Sequence, residues 1–196
     1  MDAGSPLGVM CPRCGAATEF ADDAFTTGGA PPPDTSPRLR LEVLLDNVRS
    51  LSNVGSIFRT ADGAGVAHLH LGGITPTPAH PKLAKTSLGA ELRVPWTSYP
   101  DPCVAAEALL ARGCRLWALE GGAASTSLFA PEALAARPQT GTLVLVLGHE
   151  VSGIDPRLLR VCERILHLPM EGIKDSLNVS VAFGIAVYTL RYAAAV

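Results

Sequence analysis

The chain has 196 residues, of which 47% are apolar and only 17% charged, with a formal net charge of -2 and a pI near 6.2. That composition supplies the core of one domain with room for a small appendage, and it excludes a protein that coats nucleic acid by bulk charge, though not one with a local basic patch. No apolar run approaches the roughly 20 residues that span a membrane, and the N-terminus, with Asp2 and no apolar h-region, does not read as a signal peptide. The expectation is a soluble, cytoplasmic protein.

The first element is a cysteine pair, C11-P-R-C14-G. A Cys-x-x-Cys followed by Gly has the shape of one zinc knuckle, because the tight turn aims two thiolates at one metal. A full site needs four ligands, and no second knuckle follows. No metal is expected, with Cys11 and Cys14 at most a half-site. The remaining cysteines, Cys103, Cys114 and Cys162, are scattered and do not form a disulfide framework. Residues 1–20 are read as a short tip. Residues 21–37, which contain T26-T-G-G-A-P-P-P-D-T-S-P37, are read as a linker that cannot bury enough surface to fold. Residues 38–196 form the main domain.

From there the chain alternates. Leu39–Leu45 predicts a buried strand, and Ser52–Ala64 a helix with a polar start. Ala67–Leu71 predicts a strand, Lys82–Leu88 a short helix and Val94–Trp96 a short strand. Asp101–Arg112 predicts a helix capped by Asp with Pro at its first position. Arg115–Leu119 predicts a strand, and Gly121–Gln139 a loop. Thr142–Leu147, apolar throughout and bounded by glycines, predicts a central strand. A short helix starts at Pro156, a strand covers Arg164–Leu168, and a long helix runs from Ser176 to Tyr192. Alternating elements with strands apolar on both faces predict an α/β domain with a mostly parallel sheet and helices on both faces. Ligands in such sheets bind beyond the carboxyl ends of the strands.

Several familiar sites are missing. No Gly-x-Gly-x-x-Gly joins a strand to a helix. G148-H-E-V-S-G153 has the glycine spacing of a phosphate loop, but Ile154 and Asp155 stand where Lys and Ser/Thr belong. His149-Glu150 begins a zincin motif without its second His. No Gly-x-Ser-x-Gly elbow is present. The sequon N178-V-S180 falls in a helix and carries no meaning here.

Three polar loops remain. The first holds Asn53 and Arg59, at a helix start whose free N–H groups face the ligand side. Taken alone, Arg59 is a solvated surface residue. The second holds Glu150, whose ordinary role is to cap the helix that follows. The third, L168-P-M-E-G-I-K-D-S-L-N-V-S-V-A182, packs Lys174, Asp175, Ser176 and Asn178 between two apolar elements. Polar groups so placed are costly unless they bind something. There Ser176 is expected to cap the last helix, with Asn178 inside its first turn.

In order and spacing, N53-V-G-S-I-F-R-T-A61, L145-V-L-G-H-E-V-S-G153 and L168–A182 resemble the three motifs of the SpoU/TrmH family of RNA methyltransferases, part of the SPOUT superfamily. The resemblance covers nearly everything from Arg38 onward. It implies a deep trefoil knot at the C-terminal end, a homodimer and S-adenosyl-L-methionine bound in the knot. Knots are too rare for sequence reasoning to propose one unaided. The resemblance places the donor against Leu119, Leu147, Gly148, Leu168, Met170 and Leu177. It makes Arg59, Asn53, Glu150, Ser176 and Asn178 the catalytic set and implies methylation of a ribose 2′-hydroxyl of tRNA or rRNA. Glu150 is expected to orient Asn53 or Arg59, and Ser176 and Asn178 to hold the hydroxyl. RNA must then be held by a local basic surface, for which Arg38, Arg49, Lys82, Lys85 and Lys174 are the candidates. Two departures stand out. Lys174-Asp175 replaces a common apolar-Glu pair, and His149 replaces a small or amide residue. The alternatives are a base-methylating SPOUT enzyme and an inactive knotted RNA-binding protein.

Overall fold

The computed structural model describes residues 39–193. Arg38, Cys11, Cys14 and the linker lie outside the described residues. Everything below belongs to one compact unit, Pro37–Val196.

Seven strands form one sheet: β1 (Arg40–Asp46), β2 (His68–Gly72), β3 (Trp96–Tyr99), β4 (Arg115–Leu119), β5 (Thr126–Ser127), β6 (Thr142–Leu147) and β7 (Arg164–His167). Their order is β3-β2-β1-β6-β4-β7-β5, and every pairing is parallel. Successive side chains of a strand point to opposite faces. Leu41, Val43 and Leu45 of β1 therefore join Leu143, Leu145 and Leu147 of β6 in one core. Helices α1 (Leu51–Gly63) and α6 (Val179–Tyr192) close it with Ile57, Phe58, Phe183 and Leu190. Leu44, Leu116, Val144 and Val146 face the other way, under α3 (Pro102–Ala111) and α5 (Pro156–Val161). Helices on both faces of a parallel sheet are what the strand composition predicts.

A buried polar cluster centres on Glu42, on the second face. Glu42, 1% exposed, accepts from His70 Nε2 at 2.9 Å, Arg40 Nε at 2.8 Å and Arg112 at 3.3 Å. Burial alone pushes its carboxyl up, but His70, Arg40 and Arg112 outweigh that and hold it at about 2.

The structure corrects three boundaries. β3 starts at Trp96 rather than Val94, because Val94 drops into the core after a 3-10 turn at Ala90–Leu92 and Pro95 has no N–H to donate to a ladder. The segment expected as loop contains β5 and the helix α4 (Pro131–Ala135), both too short to show a period. The last helix starts at Val179 rather than Ser176, and its cap is Asn178.

Close approach requires glycine at position 55. Gly55 of α1 touches the helix α2 (Ala84–Ser87), and a Cβ there would lie 1.9 Å from Thr86 Oγ1. At the far end of the chain Arg191 ties α6 down, donating to the carbonyls of Leu39, Ala64 and Gly65. The central strands β1, β6, β4 and β7 thus bring their carboxyl-end loops together.

Candidate active site

The loop after β6 is the hub of the site. Gly148 crosses its own chain so closely that a Cβ would stand 2.3 Å from the carbonyl carbon of Gly153. His149 and Gly153 exchange backbone hydrogen bonds at 3.1 and 2.9 Å, with Gly153 at φ +71°. His149 Nδ1 accepts from the N–H groups of Val151 and Ser152 at 3.1 and 3.2 Å. The result is a tight loop with Glu150 at its tip.

Glu150 reaches back a hundred residues in the chain. Its carboxylate accepts from the N–H of Arg49 and of Ser50, and from Asn53 Nδ2, each at 3.0 Å. Ser50, the N-cap of α1, accepts from Asn53 N–H. Glu150 therefore caps α1, not the helix that follows it in sequence. Burial pushes its carboxyl up, but the N–H groups of Arg49, Glu150 itself and Ser50, with the Asn53 amide, bring it down to about 2. Glu150 is thus a fixed anion at neutral pH.

Asn53 is 9% exposed and passes the connection on. Its Oδ1 accepts from Asn178 Nδ2 at 3.0 Å. Asn178 Oδ1 accepts from Ser180 N–H at 2.9 Å and capping α6 is its ordinary duty. The order Glu150–Asn53–Asn178 links one residue from each motif. Glu150 orients Asn53; no hydrogen bond of Arg59 is seen among the described residues, and that side chain is exposed on α1. Ser176 does not cap α6. It is exposed and donates to Asp175 Oδ1 at 3.2 Å.

Between the ends of β4, β6 and β7 lies a cavity of about 560 Å³. Leu119, Leu147, Gly148, Leu168, Met170 and Leu177 all line it, as do Glu150, Ser176 and Asn178. Asn53 and Arg59 do not. Among the described residues its lining includes the carboxylates of Glu120, Glu150 and Asp175 and no Lys or Arg. Arg49, Lys82, Lys85 and Lys174 are exposed; Lys174 lines a side pocket of about 570 Å³ that shares Leu168 and Met170 with the main cavity.

Sequence reasoning missed two pinning carboxylates. Glu120 Oε2 accepts from Ile154 N–H at 2.9 Å, and Asp46 Oδ2 from Asp155 N–H at 2.7 Å. Both hold the Glu150 loop to neighbouring strands. The available signal was an acidic residue at the end of an apolar strand, in L119-E-G-G122 and in L45-D-N47.

Residues 40–188 match the model of the SpoU rRNA Methylase family. The chain belongs to that family. It is 32% identical over 162 residues to the 23S rRNA (guanosine(2553)-2′-O)-methyltransferase RlmP of Bacillus subtilis, covering 82% of this chain and 61% of that protein. A neighbour of known structure is the AdoMet-bound rRNA methyltransferase of Sinorhizobium meliloti, with a TM-score of 0.69 and 27% identity, covering 78% of this chain and 56% of that one. Another structure, described as giving insight into the 2-OH methylation of C/U34 on tRNA, is 30% identical with a TM-score of 0.66 and covers 79% of this chain and 95% of that one. This chain spans about three fifths of the length of the curated relatives it matches.

Proposed function

We propose that the protein transfers a methyl group from S-adenosyl-L-methionine to a ribose 2′-hydroxyl of rRNA or tRNA. The observation that carries this reading is the charge of the cavity. Three carboxylates and no Lys or Arg among its described lining suit a cationic ligand and oppose a polyphosphate. Its volume and apolar walls suit one nucleoside-sized group, with Leu119, Leu168, Met170 and Leu177 on the faces of a base. The donor supplies a methyl made electrophilic by its sulfonium.

The remaining chemistry falls to this chain. A ribose hydroxyl is a weak nucleophile that must shed its proton as it attacks. Arg59 stays charged, so its part is to stabilise the developing alkoxide and align the backbone phosphate. Glu150 is not a base, since it is held ionised by four donors and its lone pairs are committed to α1. Glu150 and Asn53 are positioning residues that fix the start of the helix bearing Arg59. Asn178 and Ser176 stand at the cavity edge and hold the hydroxyl. Arg49, Lys82, Lys85 and Lys174 receive the RNA backbone, with an affinity that falls as salt rises.

The C-terminal segment is threaded through a trefoil knot in this reading. From β7 the chain must cross back over the loop after β6 to place α6 on α1, which the sheet order and shared core support. The working form is a homodimer. Val181, Ile185, Tyr188 and Tyr192 are exposed along one face of α6, spaced four, three and four, and no described segment covers them. The location is cytoplasmic; no described helix is long and apolar enough to cross a membrane.

The test of the mechanism is an Arg59→Ala protein assayed for methyl transfer to RNA. The rate should fall about 100-fold or more, while donor affinity stays within threefold. Transfer at the wild-type rate would remove Arg59 from its central place.

A further inference from the structure

An acceptor with a free lone pair lies at the end of β7, against the donor cavity. Ser125 Oγ stands 2.6 Å from the Gly122 carbonyl and 2.9 Å from His167 Nδ1. A carbonyl can only accept, so the single hydroxyl proton goes to Gly122. His167 Nδ1 must then carry the proton that Ser125 Oγ accepts. This fixes the tautomer and leaves Nε2 as a bare lone pair. No protein partner of Nε2 is seen among the described residues. His167 lines both the main cavity and its side pocket, next to Leu168 and Met170.

We infer that His167 Nε2 accepts a hydrogen bond from an N–H or O–H of the donor's adenosyl group, and so sets donor affinity. The inference rests on the proposed function above. Position favours a contact to the donor over a role as base toward the acceptor. β7 is three strands from β1, whose following helix carries Arg59, and at the usual strand spacing that is about 14 Å. Adenosine presents an exocyclic amine and two ribose hydroxyls, and the apolar walls flanking His167 are those that fit its base. The motif resemblance gave no role to this position.

The experiment is calorimetric titration of the full chain with S-adenosyl-L-methionine and with 5′-methylthioadenosine, at pH 8.0. Loss of one hydrogen bond should weaken both ligands about tenfold at pH 8.0 in His167→Phe. His167→Gln, whose amide oxygen can accept, should stay within threefold of wild type. Ser125→Ala frees the tautomer and should cost a smaller factor than His167→Phe. Wild-type affinity in a folded His167→Phe protein would overturn the inference. So would a loss seen with S-adenosyl-L-methionine but not with 5′-methylthioadenosine, which would put the contact at the amino-acid end. If the wild-type protein binds neither ligand, the proposed function itself falls, and the inference with it.

Discussion

Glu150 joins the N-terminus of α1 to a loop a hundred residues away, and its low pKa records how many donors it satisfies. The sign of the pH effect follows. A carboxyl at about 2 in the folded chain and at its ordinary value of 4.5 when unfolded adds stability that is complete above 4.5 and is lost as pH falls toward 2. Glu42 works in the same window from the opposite face of the sheet. Glu150→Gln should therefore lower the melting temperature at pH 7 and flatten the decline between pH 4.5 and 2, leaving the share due to Glu42. With Glu150 exposed to solvent the loss at pH 7 should be about 1 kcal/mol. Thermal melts across that range check it; an unchanged pH profile would mean the capping carboxylate contributes nothing.

Loops after β4, β6 and β7 build the cavity, and backbone crossings hold them. The obstacle at Gly148 is main chain, at 2.3 to 2.6 Å from any added Cβ, so it cannot swing aside. Gly148→Ala should cost about 3 kcal/mol or more, above the usual range for overpacking, and should weaken donor binding at least tenfold. A denaturant melt and a donor titration measure both; near-wild-type values would show that the loop can open.

At this scale most of the fold was legible. Apolar runs such as T142-L-V-L-V-L147 mark buried parallel strands, and D101-P marks a helix start. β5 and α4 were not legible, because two and five residues are too short for a period. The cap of α6 was misread for a different reason. Ser176 and Asn178 are both good caps, and the choice between them is made by Asn53, 125 residues distant in the chain. The pinning roles of Glu120 and Asp46, and the tautomer of His167, also depend on neighbours that only the folded chain supplies.

For the whole molecule, the motif order carries the family, and the proposed dimer is tested at the exposed face of α6. Val181, Ile185, Tyr188 and Tyr192 form one apolar stripe along α6. Sedimentation should give a particle of twice 20.4 kDa. A Tyr188→Asp, Ile185→Asp double substitution should yield monomers that keep their helix content. A wild-type monomer would contradict the dimer.

The central claim is ribose methylation of RNA, and one measurement addresses it directly. RNA from a strain lacking this protein is incubated with the purified chain and S-adenosyl-L-methionine bearing an isotopically labelled methyl group, then digested to nucleosides and weighed by mass spectrometry. The account predicts label on the ribose of one nucleoside, released with the sugar on fragmentation. Label that stays with the base, or no label in any nucleoside, would contradict it.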